Sequence, residues 1–455
     1  MTSASTAVPD GQAPFYPASS LDFVPVKQLR ALQSHRLRHV IGHVYENVAL
    51  YRQRMHKVGV TPADIRGVED IERLPFTTKA DLRDTYPSGM FAVPATQIAS
   101  LHTSSGATGE PIVVAYTRKD MQVWTEVIVR CLVACEFHPR DVVQNACGHH
   151  LFADGLGLQA GVEALGATVI PISGGDADHQ VTVMRDFNVS AVCSTPSYFL
   201  YLVERAEKFG IDLRKLPLRV GAFVGGPWSE SIRRRIEATS GIRAYYIFGL
   251  AELIGPGIGT EGCHQNGLHI FEDHFYPEIV DPDTGEILPP DKEGELVLTT
   301  LSKEAMPLIR YRTGELAAMR SEPCPCGRTL RQIRRVGRRG EDMCVVQGVS
   351  VYPSQIEAAL LAVEGNLPHY QIVLTQDKGQ DQIEVQIEIT PEIFSDRVSA
   401  MEALETQLAR EIGDALSIPV SVRLVEPRSI DRSSEGLRRV IDRRAIQAPA
   451  TGDAR

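Results

Sequence analysis

Glycines and hydroxylated residues concentrate in one short segment, 104–109 (SSGATG), which lies between two strand-like runs at 97–103 and 111–116. The glycines leave backbone N–H groups uncovered and the hydroxyl groups add donors, an arrangement that can bind phosphate oxygens. The segment lacks the Gly-Lys-Ser/Thr ending of the P-loop and the glycine spacing of the dinucleotide-binding fold. It therefore predicts either a phosphate-binding hairpin tip of another kind or an ordinary turn. The residues concerned are Ser104, Ser105, Gly106, Thr108 and Gly109.

Two glutamates lie in short motifs that follow strand-like runs. Glu252 ends the segment 248–252 (FGLAE), and Glu315 lies in 311–316 (YRTGEL). Either residue taken alone is typical of a surface acid. A functional interpretation depends on both motifs contributing to one site.

Cys324 and Cys326 are separated by one residue and followed by a glycine, so their thiols can point at one metal ion. Cys263 and His269 precede them, with His264 as another candidate, and a Cys₃His set is a common structural zinc complement. The alternative is two unrelated pairs of surface thiols. Four other cysteines lie in apolar surroundings, where a small buried hydrophobic residue is expected; they are Cys131, Cys135, Cys147 and Cys193.

Apolar runs alternate with helical patterns over much of the first half of the chain, which is typical of parallel α/β layers. A helical period also covers 29–57, and the segment 267–318 is β-rich. The predicted strands are 141–146, 167–171, 190–193, 219–223 and 244–247, and the predicted helices between them are 155–165, 180–187 and 229–239.

A boundary is predicted near 339–342 (RGED). Beyond it, strand patterns at 343–349, 371–374 and 382–389 and helical patterns at 353–361 and 397–416 predict a small α+β domain of ordinary size. The predicted organisation is a flexible tail at 1–20, a large domain at 21–337 and a small domain at 338–455, with the hinge at 339–342.

Composition restricts the class of partner. The net charge is −10, whereas proteins that bind nucleic acid usually carry a basic footprint, so no nucleic acid is expected. No apolar run approaches the roughly 18 residues of a membrane span, and the first residues lack a secretory pattern. A cytoplasmic protein that does not enter a membrane is expected.

Five segments follow the glycine-rich one in a fixed order: FGLAE (248–252), YRTGEL (311–316), VGR (336–338), GVSVYPSQIE (348–357) and SEG (434–436). Together they resemble the adenylate-forming superfamily. Longer segments are similar to its phenylacetate–CoA ligase-like branch: GGPWSE (225–230), GLHIFEDHF (267–275), 294–316 and CPCGRT (324–329). The resemblance covers about residues 51–444. It implies an α/β fold with a large N-terminal domain of α/β layers, a β-rich subdomain and a small mobile α+β C-terminal domain.

The resemblance also implies an activity. An aromatic acid attacks ATP to give acyl-AMP, and coenzyme A then takes the acyl group as a thioester. Residues 104–109 would cradle the β- and γ-phosphates, with Thr108 and Glu252 catalytic and Glu252 holding Mg²⁺. Glu315 and Arg338 would bind the ribose. The nucleotide would further contact Gly226, Pro227, Phe248, Gly249, Leu250 and Ala251.

The acyl pocket is expected around 150–157 (HLFADGLG), where glycines would leave room for a flat ring. The resemblance also strengthens the expectation of a structural zinc ion in this chain, because proteins of this branch have a comparable zinc site. The first cysteine of that site aligns with Gly262 of this chain. Possible partners are coenzyme A, a carrier-protein thiol in its place, and a second copy of the chain in a homodimer. The residues expected to line the acyl pocket are His150, Phe152, Asp154, Gly155, Tyr198, Phe223 and Ile254.

One departure from the resembled pattern concerns the chemistry itself. Leu437 stands where the family has a lysine that bridges the carboxylate and the α-phosphate, and leucine cannot neutralise developing charge. Three explanations are open: an introduced substitution at 437, replacement of the lysine by Arg438 or Arg439, or a fold turned to another use. That other use would be activation of a different small oxyacid such as nitrite, or binding of aryl ligands and nucleotide with impaired activity.

Overall fold

The computed structural model describes residues 17–103, 112–148, 154–173, 176–225, 230–339, 344–346, 349–351, 353, 356, 359–360, 370–377, 380–388, 398–416, 418–426, 429–430 and 440–443. The chain forms two units: residues 1–226 with 236–336 make the first, and residues 227–235 with 337–455 make the second.

The helices are α1 (Val26–Asn47), α2 (Ala49–Lys57), α3 (Lys79–Asp84), α4 (Arg118–Ala134), α5 (Asp154–Leu165), α6 (Ala177–Asp186), α7 (Pro196–Lys208), α8 (Glu230–Ser240) and α9 (Val398–Leu416). The strands up to residue 260 are β1 (Ile98–Thr103), β2 (Val113–Thr117), β3 (Val142–Asn145), β4 (Thr168–Ile170), β5 (Ala191–Ser194), β6 (Val220–Phe223), β7 (Arg243–Leu250) and β8 (Gly255–Thr260). They continue with β9 (Leu268–Ile270), β10 (Phe275–Val280), β11 (Glu293–Thr300), β12 (Tyr311–Met319), β13 (Gln332–Arg339), β14 (Cys344–Val346), β15 (Val349–Val351), β16 (Tyr370–Asp377), β17 (Gln380–Glu388), β18 (Ser421–Val425) and β19 (Val440–Asp442).

The largest sheet has eleven strands in the order β10-β11-β12-β13-β9-β8-β7-β6-β5-β3-β4. From β4 to β7 every pairing is parallel, and the strands beyond β7 with resolved register are antiparallel to their neighbours. Helices connect the parallel strands because a parallel pair needs a crossover. The predicted α/β class is confirmed, as is the β-rich segment at 267–318.

Local sequence explains where the connecting helices begin. Thr117 caps α4 and forms a reciprocal capping box with Asp120, while Thr195 caps α7 ahead of a proline in the first turn. The side chain of Asp176 accepts two backbone N–H bonds at the start of α6. Such caps satisfy N–H groups that have no partner within the helix.

The second unit contains a four-stranded sheet in the order β18-β17-β16-β19, with α9 against β18. Its core joins apolar residues of β16 and β17 to one face of α9, including Ile372, Val385, Leu408 and Ile412. This is the α+β composition predicted for the end of the chain.

Three local expectations were wrong. The helical period at 29–57 is two helices, because Val48 has an extended backbone between α1 and α2. The single strand expected at 343–349 is two short strands, β14 and β15, paired antiparallel with Val346 opposite Val349. The predicted tail at 1–20 extends too far, because a 3₁₀ helix at Pro17–Phe23 already belongs to the fold and Ser19 is fully buried.

Asp22 ties this 3₁₀ helix to distant parts of the first unit. Its Oδ1 lies 2.7 Å from Nη2 of Arg130, and its Oδ2 accepts a 3.1 Å hydrogen bond from Nε of Arg328. Arg130 also pairs with Asp273, at 2.9 Å. The side chains of Asp22, Arg130 and Asp273 are completely buried, so the charges depend on one another for compensation.

The four cysteines expected in the core, at 131, 135, 147 and 193, are buried as predicted. Over the described ranges, no helix has both the length and the apolar character needed to span a bilayer.

Candidate active site

The parallel strands bring several of the predicted segments to one edge of the large sheet. β3, β5, β6 and β7 are successive neighbours, and their carboxyl ends therefore lie side by side. Asp154 and Gly155 follow β3, Tyr198 follows β5, and residues 248–250 of the FGLAE motif end β7. Ligands of open parallel sheets bind outside the carboxyl ends of the strands.

Glu252 lies in the turn after β7 and is 8% exposed. Its Oε1 is 3.8 Å from Nζ of Lys79, the first residue of α3. A carboxylate and an ammonium group at this edge can together contact an anionic ligand and its cation. Sequence reasoning missed Lys79, because neither a single lysine nor a capping threonine before it indicates which distant residue it will meet.

The segment that carries Lys79 is anchored to the start of β12. Thr77 donates its backbone N–H to the carbonyl of Arg310 at 3.0 Å and accepts from the N–H of Arg312 at 2.9 Å. Its hydroxyl donates to the carbonyl of Ile309 at 2.6 Å. Thr77 therefore forms a parallel β-bridge with Tyr311. The short segment 77–79 thus contacts β12, the strand that contains Glu315, through Thr77 and the carboxylate of Glu252 through Lys79.

β7 and β8 form a tight antiparallel pair that fixes the FGLAE motif. Gly249 has no room for a side chain, because a Cβ there would collide with the carbonyl oxygen of Gly255. Phe248 and Leu250 are buried, and Ala251 begins the turn. The backbone N–H groups of Leu253 and Ile254 donate to the carbonyl of Leu250 at 3.1 and 3.2 Å, which closes the turn around Glu252.

Glu315 lies in a bulge of β12. Val297 pairs with Arg312 and Glu295 with Leu316, so three residues of β12 oppose Leu296 alone. Gly314, in the middle, has φ +73°, a conformation that glycine adopts without strain. Glu315 itself is 1% exposed.

The residues predicted for the acyl pocket occupy different environments. Gly155 is needed where α5 begins, because a Cβ there would collide with the carbonyl of Gly148. The hydroxyl of Tyr198 accepts a 2.8 Å hydrogen bond from Gln180. Phe223 is completely buried, with its ring edge-on to Phe199 at 5.5 Å, and Ile254 is buried next to Glu252 in the chain.

Several predicted residues lie outside the described part of the chain. They are Ser104, Ser105, Gly106, Thr108, Gly109, His150, Phe152, Gly226, Pro227 and Leu437. Asp154 begins α5 and Arg338 lies in β13, and only their backbone is described. The strands on either side of this segment are described: β1 pairs antiparallel with β2, and Thr103 faces Val113.

Three of the four predicted zinc ligands converge. One donor atom each from His269, Cys324 and Cys326 lies within 4.8 Å of the others, and all three residues are buried. Nε2 of His269 is 3.4 Å from Sγ of Cys326. Burial and the charge of Arg328 lower the pKa of His269 to about 3, so the imidazole is neutral, as a ligand must be.

The fourth predicted ligand, Cys263, is half-buried and its sulfur does not belong to this group of three. Its neighbour Gly262 faces the group, because a Cβ built there would lie 3.9 Å from Nε2 of His269. Donor chemistry and burial fit a structural zinc ion, with three ligands in place and a fourth to be supplied from 262–263.

Two family models match the chain. The AMP-binding enzyme model matches residues 18–302, and the AMP-binding enzyme C-terminal domain model matches residues 348–444.

Curated relatives are similar to this chain over nearly their whole length. The phenylacetate-coenzyme A ligase of Thermus thermophilus is 44% identical, and the alignment covers 93% of this chain and 98% of the relative. The protein of the same name from Aromatoleum evansii is 42% identical over 92% of this chain and 95% of its own. That of Escherichia coli is 41% identical, with coverages of 94% and 97%.

Solved structures give the same fold. A 2-hydroxyisobutyryl-CoA ligase in the postadenylation state superposes with a TM-score of 0.84 at 26% identity, covering 97% of this chain and 94% of that one. An anthranilate CoA ligase in complex with anthranoyl-AMP gives 0.58 at 16% identity, with coverages of 74% and 65%, and shows a likeness of fold alone.

Proposed function

Because the chain belongs to the AMP-binding enzymes, in their phenylacetate–CoA ligase-like branch, we propose that its acid substrate is phenylacetate or a closely related aryl acid. It is an AMP-forming acid–CoA ligase. The carboxylate oxygen attacks the α-phosphorus of ATP and expels pyrophosphate, and the thiolate sulfur of coenzyme A then attacks the acyl carbon and expels AMP.

The observation that carries this proposal is the 44% identity to a phenylacetate-coenzyme A ligase along 98% of that protein. Three further relatives with the same name are 41 or 42% identical over similar spans. The identity extends through both family-model regions, including the segment at 348–444.

For the first half-reaction, catalysis of phosphoryl attack consists mainly of alignment and charge compensation. Glu252 would hold Mg²⁺, which neutralises phosphate charge when bound. Lys79, 3.8 Å from that carboxylate, adds positive charge at the same place. Residues 104–109 would cradle the terminal phosphates, and Glu315 and Arg338 would hold the ribose.

The aryl group would lie among residues that follow the parallel strands. Gly155 and the segment before it follow β3, Tyr198 follows Thr195 at the start of α7, and Ile254 follows Glu252. This placement would set the acyl carbon beside the phosphate-binding residues, as adenylation requires.

Zinc would have a structural role. His269 lies on β9, while Cys324 and Cys326 lie in the turn between β12 and β13. An ion held by His269, Cys324 and Cys326, with Cys263 as the proposed fourth ligand, would tie this turn to the sheet. No step of the reaction involves it.

The direct test is incubation of the purified protein with ATP, Mg²⁺, coenzyme A and a panel of aryl acids, with products identified by mass spectrometry. Phenylacetyl-CoA and AMP are expected in equal amounts. An acyl-AMP that accumulates without thioester would indicate another thiol acceptor, such as a carrier protein. Binding of ATP and acid with no pyrophosphate release for any acid would contradict the proposal and favour an impaired binding protein.

A further inference from the structure

Lys303, Tyr116 and Trp124 form a buried stack in the first unit. Nζ of Lys303 lies 3.5 Å from the centroid of the Tyr116 ring, and this ring stacks on Trp124 at 5.4 Å with 17° between the planes. The three residues are 6%, 0% and 1% exposed. We call them the lysine–aromatic stack.

Both polar ends of the stack bind the chain immediately after Glu252. Nζ of Lys303 donates to the carbonyl of Leu253 at 2.8 Å, and Nε1 of Trp124 donates to the carbonyl of Pro256 at 2.8 Å. The segment 253–256 is therefore held at its first and last residues. Gly255 has φ +86° and a Cβ there would lie 2.9 Å from the Trp124 ring, so the backbone lies directly against the indole.

The same stack contacts two other elements of the proposed site. Tyr116 belongs to β2, and His102 of β1 lies edge-on to it at 5.2 Å, so both strands that flank residues 104–111 contact the stack. α5, which follows the proposed acyl segment, packs against Trp124 so closely that a Cβ at Gly157 would collide with the indole.

Burial of the Lys303 ammonium group lowers the stability of the fold. Burial lowers the pKa of Lys303 to about 7, although the charge of Asp120 raises it. Over the described ranges, no carboxylate lies within ion-pair distance of Nζ. A well-packed hydrocarbon side chain in such a place is usually neutral or stabilising. The contribution of Lys303 therefore lies in what its amine holds in place.

We propose that Lys303 is a positioning residue for acyl-adenylate formation, which fixes the Glu252 turn against strands β1 and β2 through Tyr116 and Trp124. The inference rests on the proposed function. Alignment is the main contribution of the protein to this reaction, and a displacement of about 1 Å can lower a rate by on the order of a hundredfold.

The test compares Lys303→Met and Trp124→Phe with the wild type. Trp124→Phe keeps a ring but removes the indole N–H bond to Pro256 and the part of the indole that packs against Gly157 and Gly255, so kcat should fall in this variant as well. In acid-dependent pyrophosphate release, kcat should fall by about tenfold to a hundredfold in Lys303→Met, while KM for ATP changes by less than about threefold. The matched control is Lys119→Met, whose side chain is 60% exposed and pairs with Glu304; it should keep wild-type rates.

A stability measurement separates positioning from a merely structural role. Lys303→Met should be at least as stable as the wild type at pH 7. Between about pH 7 and 10.5, Lys303 is protonated in the unfolded chain but neutral in the folded protein. The free energy of unfolding of the wild type should therefore rise with pH over this range, relative to that of Lys303→Met. The charge that acts on Lys303 is that of Asp120. Glu304 follows Lys303 in the chain, and Glu252 and His102 lie next to its contacts, Leu253 and Tyr116. All four groups are present in both proteins.

The outcomes are distinct. A less active variant that is equally or more stable supports the proposal. A Lys303→Met protein with wild-type kcat overturns it, as does a loss of kcat that only follows a loss of folded protein. A wild type that releases no pyrophosphate with any aryl acid would instead remove the proposed function, and the positioning role with it.

Discussion

The carboxylate of Glu252 and the ammonium group of Lys79 lie 3.8 Å apart, although they belong to a turn after β7 and to the first turn of α3. The Lys79 side chain is 30% exposed and that of Glu252 is 11% exposed, so both remain accessible to a ligand at the end of the sheet.

We expect Lys79→Met to lower kcat for acyl-adenylate formation by about tenfold to a hundredfold, because one charge that stabilises the phosphates would be lost. Lys79→Arg should restore part of the rate. The measurement is pyrophosphate release at saturating Mg²⁺ and ATP. Lys57→Met, an exposed residue at the end of α2, is the control. Equal rates for Lys79→Met and the control would exclude Lys79 from the chemistry.

Leu437→Lys should accelerate pyrophosphate exchange with phenylacetate by about a hundredfold or more, if the missing charge limits adenylation. Leu437→Ala controls for the loss of the leucine. Should the wild type already exchange rapidly and Leu437→Lys change nothing, Arg438→Ala and Arg439→Ala would reveal whether either arginine supplies the charge.

Metal analysis should find one zinc ion per chain, and Cys326→Ser should lose it together with part of the stability, because a structural zinc ion contributes folding free energy. Cys193→Ala, a buried cysteine of β5, should keep the metal. Gly262→Cys is sterically allowed, since its Cβ would have only ordinary contacts, and should tighten zinc retention against a chelator. Zinc-free wild-type protein would rule out the site, and full zinc in Cys263→Ser would exclude that residue as a ligand.

His274 should make stability depend on pH. Burial, the largest single effect, lowers its pKa, but the charge of Asp273 and the hydrogen bonds to Asp273 and Glu126 together outweigh burial and hold the pKa above its ordinary value of 6.5. A base with a raised pKa stabilises the fold fully below the unfolded value and loses this contribution as pH rises through the folded value. The wild type should therefore exceed His274→Gln in unfolding free energy by more at pH 5.5 than at pH 8.5. Urea titrations at the two pH values would measure this, and a constant difference would speak against a charged His274.

Four of the five parallel strands could be predicted to within one residue, because buried strands alternate with amphipathic helices and each carries a local signal, whereas β7 ends three residues beyond the predicted strand at 244–247. The strand expected at 190–193 is found at Ala191–Ser194, for example. The segment 343–349 (MCVVQGV) predicts one strand because apolar residues fill five of its seven positions, whereas the structure has two short strands, β14 and β15.

The candidate site was only partly accessible to sequence reasoning. Glu252 and Glu315 were found because they lie in motifs. Lys79 and Lys303 were not, because their roles depend on contacts with residues far away in the chain. A buried lysine also runs against the usual pattern, since lysine is mostly exposed and its burial leaves no periodic signal.

The bridge made by Asp22 has a consequence for the order of events during synthesis. Asp22 leaves the ribosome early, but Arg328, to which it is bonded, follows 306 residues later. Before Arg328 has been synthesised, the carboxylate of Asp22 can pair with Arg130 but not with Arg328. The 3₁₀ helix can therefore complete its contacts only after nearly the whole first unit has been translated. This 3₁₀ helix is thus among the last parts of the first unit to be fixed in place, and a nascent chain stalled before residue 328 should leave it open to proteases.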